Sequence, residues 1–244
     1  MISPVDWTSY TAVLFDLDGV ITPTAEIHER AWSTLFEPFG FTQTDYLRYV
    51  DGKPRYDGVR SFLTARGVDL PWGDPSDPPG DRTVCALGNR KNDTFNEVLA
   101  RDGIAAYPGT LRVLDLLDEH GVPQAIVSSS KNARTVLAAA GMTDRFRVVV
   151  DGLTAVDKGL PGKPEPAMFR HAADRLGVPY DGAIVVEDAT SGVAAGAAGG
   201  FAFVLGIDRG GHADALREAG ADLVVVDLGD TLNAGAPCAD GSAK

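Results

Sequence analysis

The chain has 244 residues, room for one large domain or for a core carrying an inserted module. Hydrophobic residues make up 44% and charged residues 23%, an ordinary composition for a soluble globular protein with a sizeable core. The formal net charge of -12 argues against a nucleic-acid backbone or an anionic membrane as partner, yet a small anion remains open, because local cations or a metal can override the global field. The two cysteines, Cys85 and Cys238, stand far apart and fit neither a disulfide framework nor a thiolate zinc site. Cys85 reads as a small buried hydrophobe. No leader pattern opens the chain and no run of about 18 apolar residues occurs, so a cytoplasmic protein is expected.

In chain order, Ala12 to Phe15 is a short apolar run that reads as a buried strand. It leads into Phe15-Asp16-Leu17-Asp18-Gly19-Val20-Ile21-Thr22, where two carboxylates at the end of a buried strand should repel each other and resist desolvation. Residues 26–105 then depart from the strand pattern. They open with Glu26-Ile27-His28-Glu29-Arg30-Ala31-Trp32, contain helix-like stretches and no convincing buried strand, and enclose a Pro/Gly/Asp-rich loop from Pro71 to Asp81. Trp32 reads as core. After this module, helical spacing at Leu111, Leu114 and Leu117 ends at Gly121, and a strand is expected over Val122 to Val127. Val136 and Leu137 belong to a helix ending at Gly141, followed by a strand at Val148 to Val150 and a loop carrying Lys158 and Lys163. Phe169, Ala172, Ala173 and Leu176 mark a helix that stops at Gly177. Strands follow at Ile184 to Val186, Phe203 to Leu205 and Leu223 to Val226, and Gly192, Gly196 and Gly199 suggest a helix packed very close to its neighbour. The alternation predicts an α/β fold: a doubly wound, Rossmann-like parallel sheet core with an inserted α-helical cap. The core takes 1–25 and 106–232, the cap 26–105, and 233–244 reads as a disordered tail.

Ligands bind at the carboxyl ends of the strands in such sheets. Here those ends carry Asp16 and Asp18, then Ser128-Ser129-Ser130-Lys131-Asn132, then Lys163, then Glu187-Asp188. Residues i and i+2 on an extended segment face the same way, so Asp16 and Asp18 can address one substrate. With Asp188 they make an oxygen-rich pocket suited to Mg²⁺, whose charge offsets the repulsion among the acids. Ser128 and Lys163 suit the non-bridging oxygens of a phosphoryl group. One carboxylate of the pair is then free to attack phosphorus and the other to shuttle a proton. A calcium loop of the EF-hand type fails because its fifth position is Val20, and a Walker A loop fails because Pro164 follows Gly162-Lys163.

These four stretches, "FDLDGVIT", "SSSKN", "GKPEP" and "VVEDATSGV", resemble in order the four motifs of the haloacid dehalogenase superfamily. The further stretches "AEIHERAW", "DGKPRYDGV" and "GNRKND" resemble its β-phosphoglucomutase-like family. That family interconverts β-glucose 1-phosphate and glucose 6-phosphate through glucose 1,6-bisphosphate, with Mg²⁺. The resemblance implies Asp16 as nucleophile and Asp18 as general acid/base. It implies a metal held by Asp16, the Asp18 carbonyl, Glu187 and Asp188, and a phosphate grip of Ser128, Ser129 and Lys163. Thr24, His28, Arg55, Lys91, Ser130, Lys131 and Asn132 match positions that hinge the cap or hold substrate. Pro23 stands where the family pattern usually has Asp, Ser129 replaces a small apolar residue, and the loop Pro71 to Asp81 is longer than expected. The expected partner is a small sugar phosphate, without nucleic acid or membrane, bound by a monomer. A phosphatase shares the first half-reaction but has less need of a second anion site, which Arg55, Lys91 and Asn132 could build. A signalling receiver module needs neither Asp18 nor the inserted cap.

Overall fold

The computed structural model describes residues 5–232; the expected tail and Cys238 lie outside them. The apolar runs form strands β1 (Ala12–Phe15), β2 (Gln124–Val127), β3 (Val148–Val150), β4 (Ala183–Glu187), β5 (Phe203–Ile207) and β6 (Leu223–Val225). All pair in parallel, in the order β3-β2-β1-β4-β5-β6. The second strand starts at Gln124 and not at Val122. Val122 instead closes the preceding helix with its N–H on Leu117, and Pro123 has no N–H to give the ladder.

Alternate side chains of each strand enter opposite layers. Val13, Phe15, Ile126, Ile184 and Val186 pack with helices α5 (Pro108–Glu119) and α6 (Ala133–Ala139). Leu14, Ala125, Val127 and Val185 pack with α8 (Ala167–Leu176) and α9 (Thr190–Ala198). Gly196 allows the close approach of α9, since a Cβ there would lie 3.0 Å from Val185 and 3.2 Å from Val204. Each large apolar side chain fully buried this way contributes about 1.5–3 kcal/mol. A short helix, α7 (Gly152–Lys158), stands where the sequence suggests only loop. Asp151 caps it through the Thr154 N–H, and seven residues are too few to show a helical period. Lys158 therefore ends a surface helix and pairs with Asp157 at 3.0 Å, away from the strand ends.

Between β1 and α5 the chain builds a helical layer: α1 (Thr24–Phe36), α2 (Gln43–Asp45), a π-helical turn over Tyr46–Val50, α3 (Arg55–Ala65) and α4 (Val84–Asp102). It has its own apolar centre, including Trp32, Phe36, Tyr46, Val59 and Phe62, with the Phe36 and Phe62 rings 4.3 Å apart. The two connections to the sheet lie side by side. The Tyr107 N–H donates to the Ile21 carbonyl (2.9 Å) and the Thr110 hydroxyl to the Val20 carbonyl (2.8 Å). Arg209 lies over the Tyr107 ring (3.7 Å) and donates to the Gly19 carbonyl (2.7 Å), touching both connections at once. Among the described residues no helix is long and apolar enough to cross a membrane.

Candidate active site

β1 leads on to β2 and the adjacent β4 leads on to β5, so the connections after these two neighbours run toward opposite edges and open a crevice at their carboxyl ends. Asp16 extends β1 into that crevice, its N–H still bonded to the Val186 carbonyl (2.9 Å). Lys163 reaches the same point and is buried. Its ammonium donates to Asp16 Oδ1 (2.5 Å), Glu187 Oε1 (2.6 Å) and the Val127 carbonyl (2.9 Å), which uses all three protons. Asp16 Oδ2 accepts the Asp18 N–H (2.8 Å), and Glu187 Oε2 accepts the Ala189 N–H (2.8 Å).

Burial pushes the Asp16 carboxyl well above its ordinary range; Lys163 pulls it back, while Glu187 and Asp18 add to the rise. Burial does the same to Asp188, reinforced by Asp51 and Glu187. The Lys163 ammonium moves upward, because its two carboxylate partners outweigh the opposing effect of burial. One lysine thus faces a cluster with more acids than it can neutralise. Asp16, Glu187 and Asp188 each offer an oxygen within 4.8 Å of the others, and the Asp188 carboxylate receives no hydrogen bond among the described residues. Gly19, at φ 83°, leaves the space that this carboxylate occupies; a Cβ there would collide with it. An all-oxygen set of buried acids, uncomfortable when ionised together, fits a hard divalent cation such as Mg²⁺.

Asp18 turns toward the cap. Its Oδ1 accepts from the Thr24 hydroxyl and faces His28 Nε2 at 3.4 Å, while Oδ2 accepts from the Ser128 hydroxyl (3.2 Å). Lys91 touches His28 Nδ1 and stands against the rings of Trp32 (5.0 Å) and Phe95 (5.2 Å). Burial, then the charge of Arg55, brings Lys91 down to about 7. Burial and Lys91 lower His28. Burial would raise Asp18, but His28, Thr24 and Lys91 together hold it below the usual carboxylate range. His28 Nε2 thus faces the Asp18 carboxylate at 3.4 Å while its other ring nitrogen meets Lys91.

Farther out, Asn92 Oδ1 accepts from Arg55 Nη2 on the cap and from Asn132 Nδ2 on the core, both at 2.6 Å. Lys131 lies over the Tyr56 ring at 4.8 Å and lines the pocket with Ser129, Ser130 and Asn132. The Ser130 hydroxyl accepts the Asn132 N–H (3.1 Å), and Ser128 Oγ accepts the Ser130 N–H (3.1 Å). Ser129 differs from expectation: its hydroxyl donates to the Gly52 carbonyl of the cap (2.9 Å), and Ser191 does the same to Asp51 (3.2 Å). The Ser129 side chain is thus engaged with the cap and not turned to a phosphate. Trp32, read as core, is both core and pocket wall. Tyr46, Val50, Asp51 and Ala189 also line the pocket, and Asp51 is pushed up to about 7 by burial and then by Glu187. Of these only Asp51 has a sequence signal, as the first residue of the Asp51-Gly52-Lys53-Pro54-Arg55 stretch.

The family model for haloacid dehalogenase-like hydrolases matches residues 10–200. The chain belongs to the haloacid dehalogenase-like hydrolase family. Within this family it is 48% identical over 240 residues to a β-phosphoglucomutase of Mycobacterium bovis, covering 91% of each chain. It is 31% identical over 224 residues to a β-phosphoglucomutase of Bacillus subtilis, covering 90% of each. The crystal structure of a Clostridium difficile β-phosphoglucomutase superposes with a TM-score of 0.73 at 25% identity, covering 91% of this chain and 92% of that one. These likenesses place it among the β-phosphoglucomutase-like enzymes of the haloacid dehalogenase family.

Proposed function

We propose that the protein is a β-phosphoglucomutase, converting β-glucose 1-phosphate to glucose 6-phosphate through glucose 1,6-bisphosphate. In this reading Asp16 carries the phosphoryl group. The 6-hydroxyl of β-glucose 1-phosphate attacks phospho-Asp16 while Asp18 takes its proton. The bisphosphate leaves, returns reversed, and gives its C1 phosphoryl group to the Asp16 carboxylate as Asp18 protonates the departing oxygen. Lys163 and Ser128 hold the transferring end, and Lys163 keeps the Asp16 carboxylate in place. Mg²⁺ held by Asp16, the Asp18 carbonyl, Glu187 and Asp188 would neutralise charge on the transferring group. Thr24 and His28 hold Asp18 from the cap side, with Lys91 behind His28. Arg55, Lys131, Ser130 and Asn132 take the distal phosphate. The proposed setting is the cytoplasm, with a monomer acting on a small sugar phosphate.

The observation that carries the choice of mutase is Arg55. It is a half-buried cation that faces the same pocket as Asp16 and forms no ion pair among the described residues. A bisphosphate needs such a second anion site; hydrolysis of a monophosphate does not. Incubation with β-glucose 1-phosphate, Mg²⁺ and a trace of glucose 1,6-bisphosphate should yield glucose 6-phosphate, with free phosphate as a minor product. Free phosphate as the main product would make the enzyme a phosphatase.

A further inference from the structure

The long cap loop is tied to the distal end of the pocket through one side chain. Asn89, in the second turn of α4, donates from Nδ2 to the carbonyls of Pro75 (3.1 Å) and Asp77 (2.8 Å). Its Oδ1 accepts from the Tyr56 hydroxyl (2.9 Å) and faces Arg55 Nη1 at 3.5 Å. Both amide protons and both lone pairs of the side chain are used, and the amide cannot be flipped, since a guanidinium only donates. The loop is itself tied down near both of its ends. The Pro71 and Trp72 carbonyls accept the Val84 and Cys85 N–H groups (3.0 Å each), Asp77 accepts the Thr83 hydroxyl (2.6 Å), and Arg60 lies over the Trp72 ring (5.3 Å).

Arg55 is therefore oriented from two sides, by Asn89 and by Asn92, and both partners are neutral amide oxygens. A carboxylate in either place would orient the guanidinium as well, but would cancel the charge that an incoming anion needs. We propose that Asn89 is a positioning residue that aims Arg55, with its charge uncompensated, at the second phosphate group of the substrate, and that the loop Pro71–Asp81 is the support that fixes Asn89. The proposal rests on the reading of Arg55 as a distal-phosphate contact. It assigns the loop a part in substrate selection: favouring sugar phosphates with an anion at the far end over compounds with only the phosphoryl group that is transferred.

The test compares Asn89→Ala, Asn89→Asp, Arg55→Ala and the Arg55→Ala/Asn89→Ala double variant, each with β-glucose 1-phosphate at saturating bisphosphate and with p-nitrophenyl phosphate. Asn89→Ala should raise KM for β-glucose 1-phosphate about tenfold with kcat within about threefold, the scale of one charge-assisted contact misaligned. Its hydrolysis of the aryl phosphate should stay within about twofold, an effect under RT in free energy. Asn89→Asp keeps the side-chain volume and the acceptor for Arg55 but adds the cancelling charge, so it should raise KM at least as much. In the double variant the Asn89 change should add nothing, because the residue it acts through is gone. Unchanged KM in both Asn89 variants, alongside a raised KM in Arg55→Ala, would overturn the positioning role alone. So would additive effects in the double variant, or equal damage to both substrates. Unchanged KM in Arg55→Ala would overturn the distal-phosphate reading, and the role of Asn89 with it.

Discussion

At the sheet rim, Asp16, Asp18, Glu187 and Asp188 each stand within a few residues of a buried strand, whereas on the cap side His28, Arg55, Lys91 and Asn92 come from three helices. The rim is placed by backbone: β1 and β4 are paired as far as Phe15 and Val186, and the acids at their ends follow. The cap wall is placed by side chains holding other side chains, Lys91 on His28 and Asn89 and Asn92 on Arg55. In the proposed function the rim carries chemistry that any phosphate ester can use, and the cap decides which ester profits from it. Damage to the two regions should therefore look different.

The largest effect belongs to the rim. Asp16→Asn should lower both mutase turnover and aryl phosphate hydrolysis by at least about 10⁴-fold, the scale for removing a nucleophile. The melting temperature should hold or rise, because a buried charge among other acids is removed. Substantial turnover by a clean preparation would move the nucleophile elsewhere. Arg55→Ala is the matching change in the cap. Mutase kcat/KM should fall by about 2–4 kcal/mol, the scale for truncating a buried charged contact. Aryl phosphate hydrolysis should lose less than about tenfold, or 1.4 kcal/mol. Equal losses would erase the difference between the two regions.

Lys91→Met tests the cap in a third way, through stability. Lys91 titrates near 10.5 when unfolded and at about 7 in the fold. Between these values the unfolded chain holds the extra proton, so Lys91 makes stability rise with pH across that window. Its destabilising burial is fully present below about pH 7. The Met variant should gain about 1–3 kcal/mol at pH 6, and the gain should fade toward pH 10. A gain that does not depend on pH would place the Lys91 charge outside the cap core. The smallest effect is expected from Ser129→Ala, about 1 kcal/mol in mutase kcat/KM, since one neutral hydrogen bond to Gly52 is lost. A loss of a hundredfold in aryl phosphate hydrolysis would return Ser129 to the phosphate grip.

The rim was legible because a short apolar run ending in acids or hydroxyls marks a strand and its carboxyl end together. The strands themselves were read to within two residues, the misplaced start at Val122 being a helix closure followed by a proline that cannot donate. α7 escaped because its seven residues carry no period, and Lys158, read as a loop residue, ends that helix. The cap wall was legible only through resemblance. Arg55 meets Asn92 across 37 positions, and Asn92 meets Asn132 across 40; nothing local in composition reports such pairings. Tyr46 carries no sequence signal of its own and stands at the start of the π-helical turn, on the pocket wall. Asn89 could not be found at all without the path of the loop it supports.

The side-by-side connections between cap and sheet have a mechanical consequence. Two separate tethers would let the cap sway in several directions, but Tyr107 on Ile21 and Arg209 across both connections tie them together as a single hinge pin would be. A lid on a single pin swings along one arc. His28 rides on that lid, in the second turn of α1, Thr24 stands at the junction where α1 begins, and Asp18 belongs to the frame. Swinging the lid out would withdraw His28 from the Asp18 carboxylate. In the proposed mechanism such a swing would disarm the Asp18 shuttle when Asp16 is open to solvent and re-arm it as Arg55 closes over the substrate. Such an interlock would slow wasteful transfer to water without requiring any residue to recognise water.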